Sequence, residues 1–196
     1  MPALPPLARL PLLLLGLFAL LTGVLSGLAR LAVEVPAWAT MQAASHGTFM
    51  VRAFLGTVIS LERAVALGRL WPYLAPLGAG LGGLALAIGL PMAWAQGFCT
   101  ASATLLVAGS VRVWRLQPAH HTATLALGAG VWLLGNLVWL VGGAPSLATP
   151  WWMAFLVLTI AGERLELTRL LPTPPGARTG FTLLTAALLA GLVVSL

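Results

Sequence analysis

Apolar residues in this chain run on in long continuous stretches, interrupted by short clusters of proline, glycine and arginine. No stretch alternates apolar and polar residues over about ten positions, so the signature of a transmembrane β-barrel is missing. A helix needs about 20 apolar residues to cross a hydrocarbon core. Seven stretches meet that length: roughly 10–33, 41–67, 72–93, 96–114, 121–142, 150–171 and 179–196. Pro36, Trp71-Pro72, Pro91, Pro118, "GGAPSLATP" and "LPTPPGAR" fall between these spans or at their edges, where proline ends a helix at little cost. The connections are all short. The pattern predicts an all-α integral membrane protein, a single bundle of about seven transmembrane helices over residues 1–196.

The run Leu10–Leu21 after Arg9 has the start of a signal peptide, but its apolar character continues past Thr22 without a small-residue cleavage site, so it reads as a retained helix. "FTLLTAALLAGLVVSL" stops inside an apolar span. Either the seventh helix ends flush with the membrane surface, or the chain is the first part of a longer bundle.

Composition agrees with the membrane reading: 60% of the 196 residues are hydrophobic and 7% charged, whereas a soluble domain carries about a quarter charged residues. The cations are ten arginines with no lysine, and the anions are four glutamates with no aspartate, giving net +6. No basic face gathers them as a nucleic-acid binder requires. A retinal Schiff base is excluded by the missing lysine. Cys99 is the single cysteine, so no intrachain disulfide forms.

The arginines orient the bundle. Arg9 precedes the first span; Arg63 and Arg69 flank the 2–3 connection; Arg112 and Arg115 flank 4–5; Arg164, Arg169 and Arg178 flank 6–7. Opposite connections carry only Arg30, offset in part by Glu34. The expectation is a multi-pass protein of a bacterial inner membrane with a cytoplasmic N-terminus. Its second, fourth and sixth spans then run inward.

Within "SHGTFMVRAFLGTVISLERAVALGRLW", residues 45–71, four polar groups interrupt an oily run: His46, Arg52, Glu62 and Arg63. His46 lies one to two turns below the outer surface, whereas Glu62 and Arg63 lie about 24 Å deeper along a helix. They belong to two sites. "AFLGTVISLERAVAL" (53–67) aligns with "AFLVLTIAGERLELT" (154–168), which makes the second and sixth spans parallel repeat elements. Glu62 and Arg63 match Glu163 and Arg164 in depth. These four are expected to form an ion-pair cluster at the inner boundary, either locking helices together or serving a proton or anion route.

His46 is a candidate haem or metal ligand. Gly47 removes bulk beside it, so a flat macrocycle can lie against the helix, and Ser45 or Thr48 is placed to orient the second ring nitrogen. Arg52, costly within a membrane unless paired, would suit a haem propionate, Glu34 or a lipid phosphate. "SHGTFMV", with His46, Gly47 and Met50, resembles the His-Gly-x-x-Met stretch of haem–copper oxidase catalytic subunits. There the histidine ligates a low-spin haem on the outer side of the second helix. The pattern "HGTFMV-AFLGT-I-LERAVAL", with "FLVLTIAGERLEL", also resembles the NnrS-like family of haem- and copper-containing membrane proteins linked to nitric oxide stress. The resemblance covers about a quarter of the chain. It implies a b-type haem at His46, with copper as a second group. His120 and His121 lie about a membrane thickness away, and neither a three-histidine copper set nor an active-site tyrosine motif is present, Tyr73 being the sole tyrosine. The sixth position would hold a methionine such as Met153 in "TPWWMAF", taken as one turn into the sixth span, would be vacant, or would be filled by a residue from outside this chain; Met41 and Met92 lie near the level of Met153.

The remaining features read as packing. His120 and His121 point to different faces, a poor chelate. Trp38, Trp71, Trp94, Trp114, Trp151 and Trp152 sit at span ends as an aromatic belt. "GAGLGGLALAIG" permits close helix approach, as do Gly128 and Gly135 beside Trp132 and Trp139. Asn136 is expected to hydrogen-bond across helices. The function expected from these residues is haem binding for electron transfer or nitric oxide or oxygen response. The alternatives are a small transporter or channel using the Glu-Arg cluster, and a structural or assembly subunit. The expected partners are membrane lipid, other membrane subunits or further copies of the chain, with no nucleic acid.

Overall fold

The computed structural model describes residues 3–142, 144–168 and 176–194, and among these no strand occurs. Among the described residues, five helices are long and apolar enough to cross a membrane: Pro6–Arg30, Met92–Leu116, His120–Leu140, Pro145–Leu167 and Ala177–Val194. Contacts divide the chain into two compact units, Met1–Arg112 and Val113–Leu196.

In the first unit, a 3-10 turn, Pro6–Arg9, leads into α1, Leu10–Arg30, with proline in its opening turn, where a missing N–H costs nothing. Residues 41–67, expected as one continuous helix, are instead a succession of short elements. A short helix, α2 (Ala37–Met41), is followed by a 3-10 turn, Ala43–Ser45, then a π-helix, Thr48–Leu55, then α3, Gly56–Leu67. Gly47 and Gly56 bracket the π-helix. Glycine is the weakest helix former after proline, so the α-helical preference is lowest at the two points where the winding changes. Gly68, at φ +63°, closes α3 in the left-handed conformation. A further 3-10 turn, Trp71–Tyr73, opens α4, Leu74–Ala87. The second of the five long helices, α5, covers Met92–Leu116.

The glycine-rich run of α4 does what its composition predicts. A methyl group on Gly80 would come within 2.7 Å of Leu15 in α1, one on Gly82 within 2.6 Å of the Cys99 sulfur, and one on Gly83 within 2.5 Å of the Ala53 methyl. Three neighbours therefore approach α4 to backbone distance. Ser102 Oγ on α5 donates to the Ala75 carbonyl at 2.7 Å, adding a polar tie where only dispersion would otherwise act.

In the second unit, α6 (His120–Leu140) and α7 (Pro145–Leu167) form an antiparallel hairpin. Trp132 stacks on Phe155, with centroids 5.0 Å apart, and Trp139 meets Trp152 edge-on. Trp151 and Trp152 depart from the expected aromatic belt. They are 4% and 2% exposed because Gly135 leaves room for both against α6. Helix α7 also starts earlier than expected, at Pro145, so that Pro150 lies inside it. This early in the helix proline forfeits a single backbone bond, to the carbonyl four residues back. Asn136 donates to the Trp132 carbonyl of its own helix. The last helix, α8 (Ala177–Val194), places Leu188, Leu189 and Leu192 against Val131, Trp151, Ala154 and Leu158.

Candidate functional site

The geometry around His46 is set by α1. Three glycines, Gly16, Gly23 and Gly27, share the face of α1 that meets the second stretch. Gly16 meets Thr57, Gly23 meets Phe49 and Met50, and Gly27 meets the His46 ring. A methyl on Gly27 would lie 2.7 Å from His46 Nδ1 and 2.8 Å from Cε1, so the imidazole rests on bare backbone. His46 is half-buried. Its Nδ1 lies 2.7 Å from the Gly23 carbonyl oxygen.

That contact fixes the tautomer. A carbonyl oxygen only accepts, so Nδ1 must carry the proton and donate. The lone pair of the neutral ring is left on Nε2, the arrangement in which metal-ligating histidines are held. Sequence reasoning assigned this orienting role to Ser45 or Thr48; a main-chain carbonyl of another helix fills it instead. Gly47 has no atom within 4 Å of where a Cβ would stand, so the space beside this residue is open.

The second unit provides an internal comparison. In the alignment of 53–67 with 154–168, Thr57 corresponds to Leu158. Thr57 meets Gly16 of α1, and Leu158 meets Gly128 of α6. Further along, Met50 meets Gly23, and its counterpart Trp151 meets Gly135. The repeat therefore extends to the preceding helix of each hairpin, which sequence reasoning missed. One step on, the copies diverge. Gly27 and His46 correspond to Trp139 and Leu147, and Trp139 is buried edge-on to Trp152. A bulky indole occupies in one hairpin the position that is left bare for an imidazole in the other.

A prediction follows for Gly27→Ala. The added methyl must push the ring off α1 and lengthen the Nδ1 bond to Gly23. We expect a loss of about 1–3 kcal/mol in stability from overpacking, read by unfolding in mixed micelles. Unchanged stability together with an unshifted His46 ring resonance in NMR would refute the cradle.

Arg52 lies within the π-helix and is 0% exposed. Its neighbour is the Cys99 thiol of α5, itself buried. Glu34 is exposed in the segment after α1. Gln42 Nε2 donates to the Leu86 carbonyl at 3.3 Å and ties the approach to His46 to the end of α4. Met41 is 84% and Met92 46% exposed. Met153 stands in the second unit, more than two turns into α7 rather than one, and is 42% exposed.

Glu62 and Arg63 occupy the last turns of α3, the first exposed and the second half-buried. Glu163 and Arg164 occupy the equivalent turns of α7, with Glu163 half-buried and Arg164 exposed. The cluster expected of these four would join the two units. His120 is exposed and His121 buried, so the neighbours do point to different faces. Among the described residues, no three His, Cys, Asp or Glu side chains gather as a metal-binding group.

These features define a class: an all-helical protein with helices long and apolar enough to cross a membrane, and one backbone-oriented histidine in its first unit. The chain belongs to the family described as Domain of unknown function (DUF8744), whose model matches residues 9–196. No curated protein and no solved structure matches it.

Proposed function

We propose that this chain is a seven-span protein of a bacterial inner membrane that holds one b-type haem through His46 Nε2. Its role is electron transfer or response to nitric oxide or oxygen. The observation that carries the reading is the 2.7 Å contact from His46 Nδ1 to the Gly23 carbonyl, which presents Nε2 as the donor. A single imidazole suits a haem iron, because the macrocycle supplies the four equatorial donors. A copper ion would need several protein donors.

When bound, the haem would supply one-electron exchange and a site for a diatomic gas. The residues of the chain divide the remaining work. His46 binds, and the Gly23 carbonyl, by accepting from Nδ1, makes the ring a stronger donor. Gly47 leaves room beside the ligand. Arg52 places a buried positive charge on the same stretch, which favours the reduced state of a nearby redox centre. Detergent-purified protein from cells supplied with a haem precursor is expected to carry about one haem per chain, as the stoichiometry of a single axial site requires. Haem-free protein under those conditions would remove the reading and leave the transporter or structural alternatives.

The proposed orientation has its own test. Cys99 is 1% exposed and should not react, which gives a silent background for introduced cysteines. In intact cells, Glu34→Cys and Ser146→Cys are expected to label with an impermeant maleimide, and Gln117→Cys only after lysis. The reverse pattern would overturn a cytoplasmic N-terminus.

A further inference from the structure

The ionic groups of the first unit are unevenly placed. One packed cluster gathers Leu12 of α1, Leu61 and Ala64 of α3, and Tyr73, with Leu4 and Leu77 against it. This fixes the start of α1, the end of α3 and the start of α4 at one end of the unit. The end of α5 joins them, since a methyl on Gly109 would meet Leu67 at 3.1 Å and Trp71 at 3.8 Å. Arg9, Arg63, Arg69 and Arg112 all lie within about a turn of these contacts, accompanied by a single acid, Glu62. At the opposite end Arg30 and Glu34 offset each other. Arg69 and Arg112 are exposed, Arg63 is half-buried, and half-buried Arg9 is held by its Nε donating to the Leu4 carbonyl at 2.9 Å.

We propose that this end of the first unit is a binding site for an anionic phospholipid, with the arginines on the phosphodiester and the acyl chains along α1. Guanidinium groups bind phosphate oxygens in a fixed bidentate geometry, which a choline-neutralised headgroup competes for poorly. The acyl surface is continuous with the cations. Immediately after Arg9, α1 exposes Leu10 at 51%, Leu14 at 55%, Leu17 at 48% and Leu21 at 56%. The proposal rests on the membrane-spanning reading, which carbonate extraction of membranes tests separately, and it is independent of haem.

The full chain in detergent is to be titrated with phosphatidylglycerol, phosphatidylcholine or inorganic phosphate, and bound lipid counted by native mass spectrometry. Phosphatidylglycerol is expected to bind at least about five-fold more tightly than phosphatidylcholine. Each of Arg69→Gln and Arg112→Gln should cost about five-fold in phosphatidylglycerol binding, from the usual attraction of one arginine to an anionic surface. Arg30→Gln at the opposite end should cost nothing. High salt on the wild-type chain should erase the preference, a result that does not depend on any variant folding. Equal binding of the two lipids, a preference that survives in high salt or when Arg69→Gln and Arg112→Gln are combined, or displacement of lipid by inorganic phosphate would each overturn the proposal.

Discussion

A leucine at Gly83 should prevent the first unit from assembling. The Cβ alone would stand 2.5 Å from the Ala53 methyl and 3.6 Å from that of Ala19. Neither neighbour has a flexible end to swing aside, so α4 must move away from both the π-helical stretch and α1. Overpacking a core by a methylene or two costs about 1–3 kcal/mol; separating whole helices should reach the top of that range or beyond. Gly97→Leu and Gly130→Leu are the matched controls, because a Cβ at either position meets nothing within 4 Å. Unfolding in mixed micelles should show Gly83→Leu collapsing while both controls remain near wild type. Equal stability of the three variants would contradict the packing described for α4.

The features that could be read from sequence are those in which each residue acts through its neighbours along the chain. Uninterrupted apolar runs placed α1, α5, α6, α7 and α8 within a few residues of their positions, although α5 begins at Met92 and α7 at Pro145, earlier than expected. The close approach of α4 was also legible, because a run such as "GAGLGG" has few uses other than contact. The changes of winding between Ala37 and Gly56 were not. A π-helix adds a residue per turn without altering the apolar character on which spans are recognised.

The histidine site was half legible. His46 and Gly47 drew attention as polar and small residues in an apolar stretch, but the atoms that orient the ring belong to Gly23 and Gly27, on another helix. Their signal was present: glycines at 16, 23 and 27 lie along one face, and the first two recur at 128 and 135. At the same offset the third is matched by Trp139, with Leu147 in the place of His46, and the packing shows that this indole is turned edge-on to Trp152. Trp151 and Trp152 were misplaced for the same reason. Tryptophan at a span end suits both a membrane interface and a helix contact, and the choice depends on whether the facing residue is a glycine.

His46→Ala is the second large effect. Removing the imidazole takes away the one donor atom that the first unit presents with its tautomer fixed. Gly23 loses a side-chain partner but keeps its helical bond, so the fold should survive with a loss of about 1 kcal/mol, the usual net worth of one hydrogen bond. Haem binding should not survive. His46→Met would separate ligation from packing, since a thioether can ligate haem iron but cannot donate to Gly23. It should keep a weakened, shifted spectrum where alanine keeps none.

Ligation of haem by His46 is tested most directly by the reduced-minus-oxidised visible spectrum of the purified full chain, wild type against His46→Ala at matched protein concentration. A Soret band is expected in the wild type and lost in the variant, while both proteins elute as the same folded species. A band of unchanged height and position in His46→Ala would contradict that ligation.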